Sequence, residues 1–597
     1  MKRVLRTGGA ALAVLLLAGA LVVNGQVTTS SISGHVFDAT GRVISGAQVT
    51  AVDGQHAKVR IAITDANGSY SLIGMAPAVY TISVRAPGFA EQTRPNASLA
   101  LDTALNLDFH LTVGGPKTQI EVNAPLTSLQ TETADLGFVI DQHFTETLPL
   151  NARDFLQLAL LAPGAFPPVQ GSQLSSNGAN SMEVNGGREE YNNFLLDGVD
   201  NNDPYVNGYV VQPAVDSVQE FKMVTSSYGA EYGRSAAGQV NVITRQGTND
   251  FHASAYEYVR NGALDARNYF DGVGFAKPAY IRNQFGIATG GPIRKNKTFF
   301  FANFDFFRQS QSISQQALVP TDDERAGKLG DLGVTIVDPL TGQPFPNNTI
   351  PSSSISPIAT DILRLFPEPN LSGSAYNYLG QPTDPEDHQQ DTFRMDHRLS
   401  QRDEFTLRYT LGTVSNFQPY QEGVTGAAPG FGDYINDHTH NAMVRAQHTF
   451  GSNAFNALWL GFNRFSRAFL PQNYQTNVGQ LWDVSWLNLP PRDYGYPIVN
   501  VAPFSQVGDS FSFPNLRHTN TYQIGDSFTL IHGRSTFKMG AEARMMQLNG
   551  HLDELVRGSL TFFGGISGSP LSDLLLGYPS MGIQAKANNP IRLRSNS

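Results

Sequence analysis

The sequence predicts a mainly β protein with three folded segments: a small β-sandwich, a mixed α+β segment and a large antiparallel sheet of the transmembrane-barrel type. The composition favours strands and turns, because 57 glycines, 37 phenylalanines and 21 tyrosines accompany only 15% charged residues. Apolar and polar residues alternate in many segments, which is the period of a strand. A chain of 597 residues is also long enough for several domains.

The first element is an export signal. Basic residues precede an apolar run, 10–23, and the small residues Val23 and Gly25 complete a cleavage site. This pattern predicts a signal peptide over residues 1–25, with the mature chain starting at Gln26. A single membrane anchor is the alternative. Beyond Val23, no apolar run reaches the length of a bilayer-spanning helix.

Composition also narrows the function. The chain has no cysteine, so we expect neither a disulfide framework nor a thiolate metal site. The net charge of -10 gives no nucleic-acid footprint. The sequence contains neither H-E-x-x-H nor G-x-S-x-G, so we expect no enzyme and no cofactor.

The first folded segment covers residues 29–113. Ile82 and Val84 alternate with polar neighbours, and Asn67 with Gly68 marks one of several closely spaced turns. This pattern predicts a small β-sandwich. It resembles the carboxypeptidase regulatory-like domain, a transthyretin/Ig-like sandwich. That domain is a non-catalytic companion in the family that named it, so the resemblance implies no peptidase activity.

The second segment covers residues 118–248. Phe155 and Leu158 lie on one face of a predicted helix, which Pro163 ends. The glycine-rich stretch 226–250, "SSYGAEYGRSAAGQVNVITRQGTND", is not a phosphate loop, because its glycines precede a strand and no lysine follows them. We interpret it as a small-residue turn that lets the last strands of this segment pack closely.

Motifs along the second segment resemble the plug domain of TonB-dependent outer-membrane receptors, which fills the barrel lumen. The matching residues, in chain order, are Pro163, Gly164, Asn185, Gly186, Asp197, Gly198, Tyr232, Gly233, Gly238, Asn241 and Arg245. Asn185 departs from the pattern, because the family usually has arginine there, as a charged lock between plug and barrel. Arg188 is the candidate substitute for that lock.

The third segment covers residues 249–597. In "FTLRYTL" and "FKMGAEARM", apolar residues share one face, and polar residues such as Arg408 and Arg544 share the other. Apolar-out, polar-in strands are typical of transmembrane barrels, although a soluble antiparallel sheet gives the same alternation. The long loops 309–390 and 467–518 favour the barrel.

Three stretches of this segment closely resemble the barrel of the Oar-like branch of the same superfamily: "YEYVRNGALDARNYF", "RNQFGIATGGPIRKNKTFFFANFDFFR" and "LSDLLLGYP". From Phe251 to Ser597 we place only about ten strands of roughly ten residues each. Plugged transporters use about 22 strands. We therefore expect an incomplete barrel, an open curved wall, with Ser597 where another strand should begin.

The resemblance implies energy-coupled passage across the outer membrane of a Gram-negative-type bacterium, with the N-terminal domain in the periplasm. The implied partner is a TonB-type energy-coupling protein, which binds a short segment by strand addition. Our candidate segment is Thr118, Gln119, Ile120, Glu121 and Val122, and an ordinary linker strand is the alternative. The alternative function is a structural, adhesion or export-assisting Oar-like protein without small-molecule uptake. The transported or surface ligand is not readable from the sequence.

Two side-chain groups suggest metal binding. Asp197, Asp200 and Asp203 could form a calcium loop, but their spacing is not that of an EF-hand, so a solvated plug loop is the simpler interpretation. His438 and His440 share one face of a strand. No third ligand stands at a recognised spacing from them, which favours an exposed loop.

Overall fold

The computed structural model describes residues 29–56, 58–114, 119–121, 135–148, 150–168, 182–267, 269, 276–373, 375–421, 426–532, 535–586 and 590–596. The predicted signal peptide, 1–25, lies outside these residues. Within them, no helix combines the length and the apolar character needed to cross a membrane. The α-helices are α1 Gln142–Thr147, α2 Asp322–Arg325, α3 Pro357–Leu363, α4 Val478–Leu481 and α5 Pro570–Leu576. The 3-10 helices are Asn151–Arg153, Phe155–Leu161, Glu189–Tyr191, Val215–Ser217, Gly262–Leu264, Gly330–Leu332, Pro346–Asn348, Ser352–Ser354, Ser485–Leu487 and Pro491–Asp493.

The first folded unit is the predicted β-sandwich, here called the N-terminal sandwich. Its strands are β1 Ser30–Asp38, β2 Gln48–Asp53, β3 Lys58–Ile63, β4 Ser69–Met75, β5 Ala78–Arg85, β6 Glu91–Leu99, β7 Ala104–Asn106, β8 Phe109–Leu111 and β9 Gln119–Glu121. One sheet has the order β4-β1-β7, with β8 also on β1, and the other has the order β3-β2-β5-β6-β9. Alternate apolar residues such as Ile82 and Phe109 are buried in the core of the sandwich, because a period-two strand buries one face.

The second unit, here called the central domain, is built on a five-stranded sheet and a separate two-stranded sheet. The strands of the domain are β10 Leu136–Asp141, β11 Ala165–Phe166, β12 Glu183–Val184, β13 Asn193–Leu196, β14 Val199–Asp200, β15 Val218–Ser226 and β16 Gln239–Thr244. The five-stranded sheet has the order β10-β15-β16-β13-β14, and β11 and β12 form the two-stranded sheet. The predicted helix at Phe155 is a 3-10 helix, and Phe155 and Leu158 are buried in the core of this domain.

The third segment contributes strands β17 His252–Asn261, β18 Tyr280–Arg294, β19 Thr298–Ser312, β20 Gln315–Ala317, β21 Tyr378–Gly380, β22 Thr383–Arg398, β23 Asp403–Gln418, β24 Asp433–Thr449, β25 Ala454–Pro471, β26 Ile498–Val501, β27 Asn515–His532, β28 Ser535–Leu552, β29 Ser559–Phe562, β30 Met581–Ile583 and β31 Ile591–Asn596. Ten of them pair into one antiparallel sheet, here called the wall, in the order β17-β18-β19-β22-β23-β24-β25-β27-β28-β31. The wall is open, with β17 and β31 at its edges, as predicted.

The two faces of the wall differ in polarity. Leu407, Val444, Leu460 and Ile524 lie side by side across four neighbouring strands on the outer face, and each is roughly half exposed. Between such residues, polar side chains such as Arg408 point to the inner face and are buried. An apolar outer face and a polar inner face are what a strand needs when lipid lies on one side only.

The long connections at one end of the wall fold into a layer of their own, here called the cap. They are the described residues within 313–382, 419–432, 472–514 and 553–590, and buried apolar side chains from all four connections form one core. Helix α5 shows how the sequence builds it: Ser569 and Ser572 form a capping box, and Leu574 and Leu575 are buried behind it. The sequence predicts long loops here, and the structure shows that they pack together.

The N-terminal sandwich sits at the opposite end of the wall, where the connections between strands are short. Lys58 of the sandwich forms an ion pair with Glu404 of the wall at 2.7 Å. Ile73 packs with Phe455 and Ala457 in a small buried cluster. The sandwich therefore contacts the wall directly as well as through the central domain.

Candidate functional site at the inner face of the wall

The central domain presents one tight hairpin to the wall. Leu196 pairs with Val199, so Asp197 and Gly198 form a two-residue turn. Their φ angles are 51° and 78°, and an Asp-Gly sequence is favoured in such a turn because both residues tolerate positive φ. The turn places the Asp197 carboxylate at the inner face of the wall.

Asp197 meets arginines from three neighbouring strands of the wall. Arg408 Nε donates to Asp197 Oδ2 at 3.1 Å, and Arg394 Nη1 donates to Oδ1 at 3.5 Å. Arg445 donates to the Asp197 backbone carbonyl. The Thr244 amide and hydroxyl also donate to the carboxylate, at 3.0 and 2.9 Å. Burial raises the pKa of Asp197, but the charges of Arg394 and Arg408 outweigh it and hold the pKa below its usual value.

The next two aspartates repeat this arrangement further along the wall. Asp200 forms an ion pair at 3.0 Å with Arg544 of β28, and another at 3.1 Å with Arg234 of the central domain. Asp203 forms an ion pair at 2.9 Å with Arg517 of β27. Burial dominates at Asp203 and raises the pKa of its carboxyl despite Arg517.

The three aspartates are therefore neither a solvated loop nor a calcium loop. The exposed fractions of Asp197, Asp200 and Asp203 are 1%, 1% and 2%, and each carboxylate faces arginine. In the part of the chain that the structure describes, no group of three or more His, Cys, Asp or Glu residues is arranged to hold a metal. The solvated-loop interpretation was wrong because sequence shows a polar loop but not the arginines that cover it.

The sequence did carry a signal for this site. The alternation in β23 and β28 already assigns Arg408 and Arg544 to the polar face of the predicted barrel. Arginines that become buried against the inner face of the wall need anionic or hydrogen-bonding partners. The regular spacing of Asp197, Asp200 and Asp203 could have suggested those partners.

Neither Asn185 nor Arg188 forms the predicted charged lock with any described residue of the wall. Asn185 adopts a φ of 50°. Its backbone N–H donates to the Gly164 carbonyl at 2.8 Å, and its side-chain Nδ2 donates to the Thr225 carbonyl at 2.6 Å. Asn185 thus links its own motif, Asn185-Gly186, to the Pro163-Gly164 motif within the central domain. Arg188 is exposed and has no ion pair with any described residue. The arginines that hold the central domain come from the wall instead.

Gly238 explains the glycine-rich stretch. A Cβ at this position would lie 2.5 Å from Met223 Cε and 2.8 Å from Val184 Cγ2. The Gly238 amide also donates to Asn192 Oδ1 at 3.0 Å. Close packing before β16 therefore requires glycine here, whereas Gly233 has open space around it.

Other motif residues lie in or beside β16. Asn241 is buried in the sheet between β15 and β13. Arg245 follows the strand, and its Nε donates to the Val218 carbonyl at 3.4 Å. Both residues belong to the packing of the central domain.

A buried charge cluster links the N-terminal sandwich to the central domain. Lys222 Nζ lies 2.9 Å from Asp102 Oδ2 of the sandwich and 3.3 Å from Asp135 Oδ2. The Tyr232 hydroxyl donates to the same Asp102 oxygen at 2.9 Å. Burial and the Asp102 charge raise the pKa of Tyr232, so this hydroxyl stays protonated. Tyr232 was found as a motif residue, but its partner on another domain could not be read from the sequence.

The wall joins the same cluster. Lys538 Nζ of β28 lies 3.2 Å from Glu231 of the central domain and 3.9 Å from Asp102 Oδ1. The sandwich, the central domain and the wall therefore meet at one set of charges.

The TonB-contacting candidate lies beside the N-terminal sandwich. Gln119, Ile120 and Glu121 form β9, which pairs in parallel with β6. Thr118 and Val122 lie outside the described residues. The function of this segment stays a prediction.

His438 and His440 lie in β24 and not in an exposed loop, which corrects that expectation. His440 Nδ1 lies 2.7 Å from the Tyr409 hydroxyl, and the two rings are stacked. His440 therefore belongs to the aromatic surface on the outer face of the wall.

A cavity opens between the central domain and the wall near the cap. Its volume is about 200 Å³, and its lining includes Tyr209, Phe465, Phe469, Arg467 and Arg517. Arg467 is held by Asp437 through hydrogen bonds of 2.8 and 2.6 Å. The cavity is thus lined by aromatic rings and by charges that are already paired.

An antiparallel wall with an apolar outer face and a polar inner face is the arrangement of outer-membrane β-barrel proteins, and here a buried domain lies against its inner side. Residues 243–597, more than half of the chain, match the family described as "Outer membrane beta barrel domain", and the chain belongs to that family. Residues 31–112 match the carboxypeptidase regulatory-like domain.

The chain is 27% identical over 358 residues to the TonB-dependent transporter Oar of Myxococcus xanthus, a match that covers 57% of this chain and 32% of that protein. The resemblance to the Oar-like branch is thereby confirmed. The chain spans about a third of the length of that relative.

Two solved structures are among those to which the chain is similar. The outer membrane transporter YddB of Escherichia coli has a TM-score of 0.46 and 10% identity, with 77% of this chain and 53% of that chain covered. The ferric enterobactin receptor of Pseudomonas aeruginosa has a TM-score of 0.40 and 12% identity, with 70% and 50% covered. These relatives are named as transporters and receptors rather than enzymes.

Proposed function

We propose that this chain is a TonB-dependent outer-membrane transporter or receptor, in which the central domain gates uptake and the energy comes from the periplasm. The observation that carries the proposal is the series of buried ion pairs from Asp197, Asp200 and Asp203 to the wall. Separating these pairs would be a necessary step in moving the central domain away from the wall. In this proposal, energy delivered from the periplasm drives that step.

The proposed orientation rests on the connections of the wall. Outer-membrane barrels have short periplasmic turns and long external loops. The N-terminal sandwich contacts the short-turn end through Lys58 and Glu404, which supports a periplasmic position. The cap then faces outward, and the cavity of about 200 Å³ beneath it is the proposed entry point for a ligand.

The proposed energy-coupling contact is the segment from Thr118 to Val122, which a TonB-type protein would bind by strand addition. The test uses the purified full-length protein and a purified TonB C-terminal domain. We expect binding by the unchanged protein and by Ile120→Val, and at least a tenfold loss with Ile120→Pro, because proline removes a strand amide. Unchanged binding by Ile120→Pro would move the contact elsewhere. Absence of binding by the unchanged protein would favour the structural or adhesion role.

A further inference from the structure

The chain that leaves the N-terminal sandwich stays attached to it. Val113 forms an isolated antiparallel bridge with Phe89, and the Gly114 amide donates to the Gly88 carbonyl at 3.3 Å. Strand β9, Gln119–Glu121, then lies along the neighbouring part of the same edge. The sandwich therefore holds this part of the chain at two successive places.

The pairing of β9 is regular. It runs parallel to β6, with Gln92 opposite Ile120, Glu91 opposite Gln119, and one further pair. β9 is the outermost strand of the order β3-β2-β5-β6-β9, and no other described strand pairs with it. A strand has two hydrogen-bonding edges, and an unpaired edge is a template for another strand.

We propose that the N-terminal sandwich is a docking platform for the energy-coupling partner: β6 holds Gln119–Glu121 extended, and a strand of a TonB-type protein adds to the outer edge of β9, with which no described strand pairs. This inference rests on the proposed function, because it takes the same segment as the contact. Binding to a segment that is already extended costs less conformational entropy than ordering a free peptide. The sandwich thereby raises the affinity for the partner through its own edge strand.

The absence of cysteine makes this inference directly testable. Gln92→Cys and Ile120→Cys place two thiols on residues that face each other in the pairing, within the reach of a disulfide. We expect oxidation of the full-length double variant to form this bond. The matched control, Asn96→Cys with Ile120→Cys, lies outside the paired register and should not form it.

The oxidised double variant is then compared with the same protein after reduction, using a cysteine-free TonB C-terminal domain. We expect the oxidised form to bind at least as tightly as the reduced form, and up to about tenfold more tightly, because the segment is fixed in its extended form. Failure of the disulfide to form would show that β9 does not pair with β6 as described, and would overturn the proposal. Loss of binding on oxidation, with recovery on reduction, would show that β6 competes with the partner and would also overturn the platform.

These results are distinguishable from a failure of the proposed function. If Ile120→Pro leaves binding unchanged, the contact itself is misassigned. If Ile120→Pro abolishes binding and the disulfide also abolishes it, the contact stands and only the platform fails.

Discussion

Arg408 of the wall and Asp197 of the central domain form an ion pair in which both side chains are buried. Arg408 Nε lies 3.1 Å from Asp197 Oδ2, and the exposed fractions of the two residues are 0% and 1%. The two residues are 211 positions apart in the sequence. Burying both charges is costly, so the pair specifies where the central domain sits more than it adds net stability.

Removing one partner of this pair should destabilise the protein strongly. Arg408→Met leaves the Asp197 carboxylate buried beside fewer cations, and we expect a loss of about 3–5 kcal/mol in the free energy of unfolding. Denaturant unfolding of the purified protein measures it. The matched control is Arg364→Met, which removes an exposed pair with Asp361 and should change stability by about 0–1 kcal/mol. Equal effects of the two variants would contradict a special role for the buried pair.

The cluster around Lys222 should hold the N-terminal sandwich to the central domain. Lys222→Met leaves the carboxylates of Asp102 and Asp135 without their nearest cation, and we expect a loss of about 3–5 kcal/mol. We expect the sandwich to unfold in a separate, earlier transition, seen by calorimetry. The control is Lys328→Met, which breaks an exposed ion pair with Asp323. We expect this variant to unfold with the same number of calorimetric transitions as the unchanged protein. A single unchanged transition in Lys222→Met would contradict the linkage.

Glu220 predicts a pH dependence of stability. Burial raises the pKa of Glu220 to about 8, above the ordinary value of 4.5, although the Leu101 amide of the sandwich donates to it and opposes the shift. The folded state therefore binds this proton more tightly than the unfolded state. The stabilisation is complete below the unfolded pKa and is lost as the pH rises through about 8.

We expect the melting temperature to fall between pH 6 and pH 9, and this fall to be smaller in Glu220→Gln, which carries no titrating proton. Differential scanning fluorimetry over that range measures it. Glu190→Gln, at an exposed position, is the control and should keep the behaviour of the unchanged protein. An identical pH profile in Glu220→Gln would show that another group controls the slope.

Two glycines of the same stretch should respond differently to alanine. Gly238→Ala places a methyl group 2.5 Å from Met223 Cε and 2.8 Å from Val184 Cγ2, so we expect a loss of about 1–3 kcal/mol from overpacking. Gly233→Ala meets no atom within 4 Å and should be nearly neutral. Thermal unfolding of both variants is the measurement. Similar stabilities would mean that β15 and β16 shift apart without cost.

Much of the architecture was readable from local patterns. Alternation in "FTLRYTL" assigned Leu407 to the outer face and Arg408 to the inner face, because successive side chains of a strand point in opposite directions. Asn67 with Gly68 marked a turn in the N-terminal sandwich, and Gly68 adopts a φ of 70°. The open edge of the wall followed from counting strands. Each strand and each turn in these inferences is recognised from a few neighbouring residues, and the strand count only adds such local assignments together.

The partners of the candidate site were decided only by the tertiary structure. Asp197 and Arg408, or Asp102 and Lys222, meet because separately folded units pack together. Alternation assigns Arg408 to the inner face, but it does not say which carboxylate lies opposite. The same holds for the apolar core shared by the loops of the cap. The sequence by itself determined the strands, their faces and the turns, because dihedral preference and side-chain alternation are local. Which charges neutralise one another depends on burial across hundreds of residues, and burial exists only once the domains are in contact.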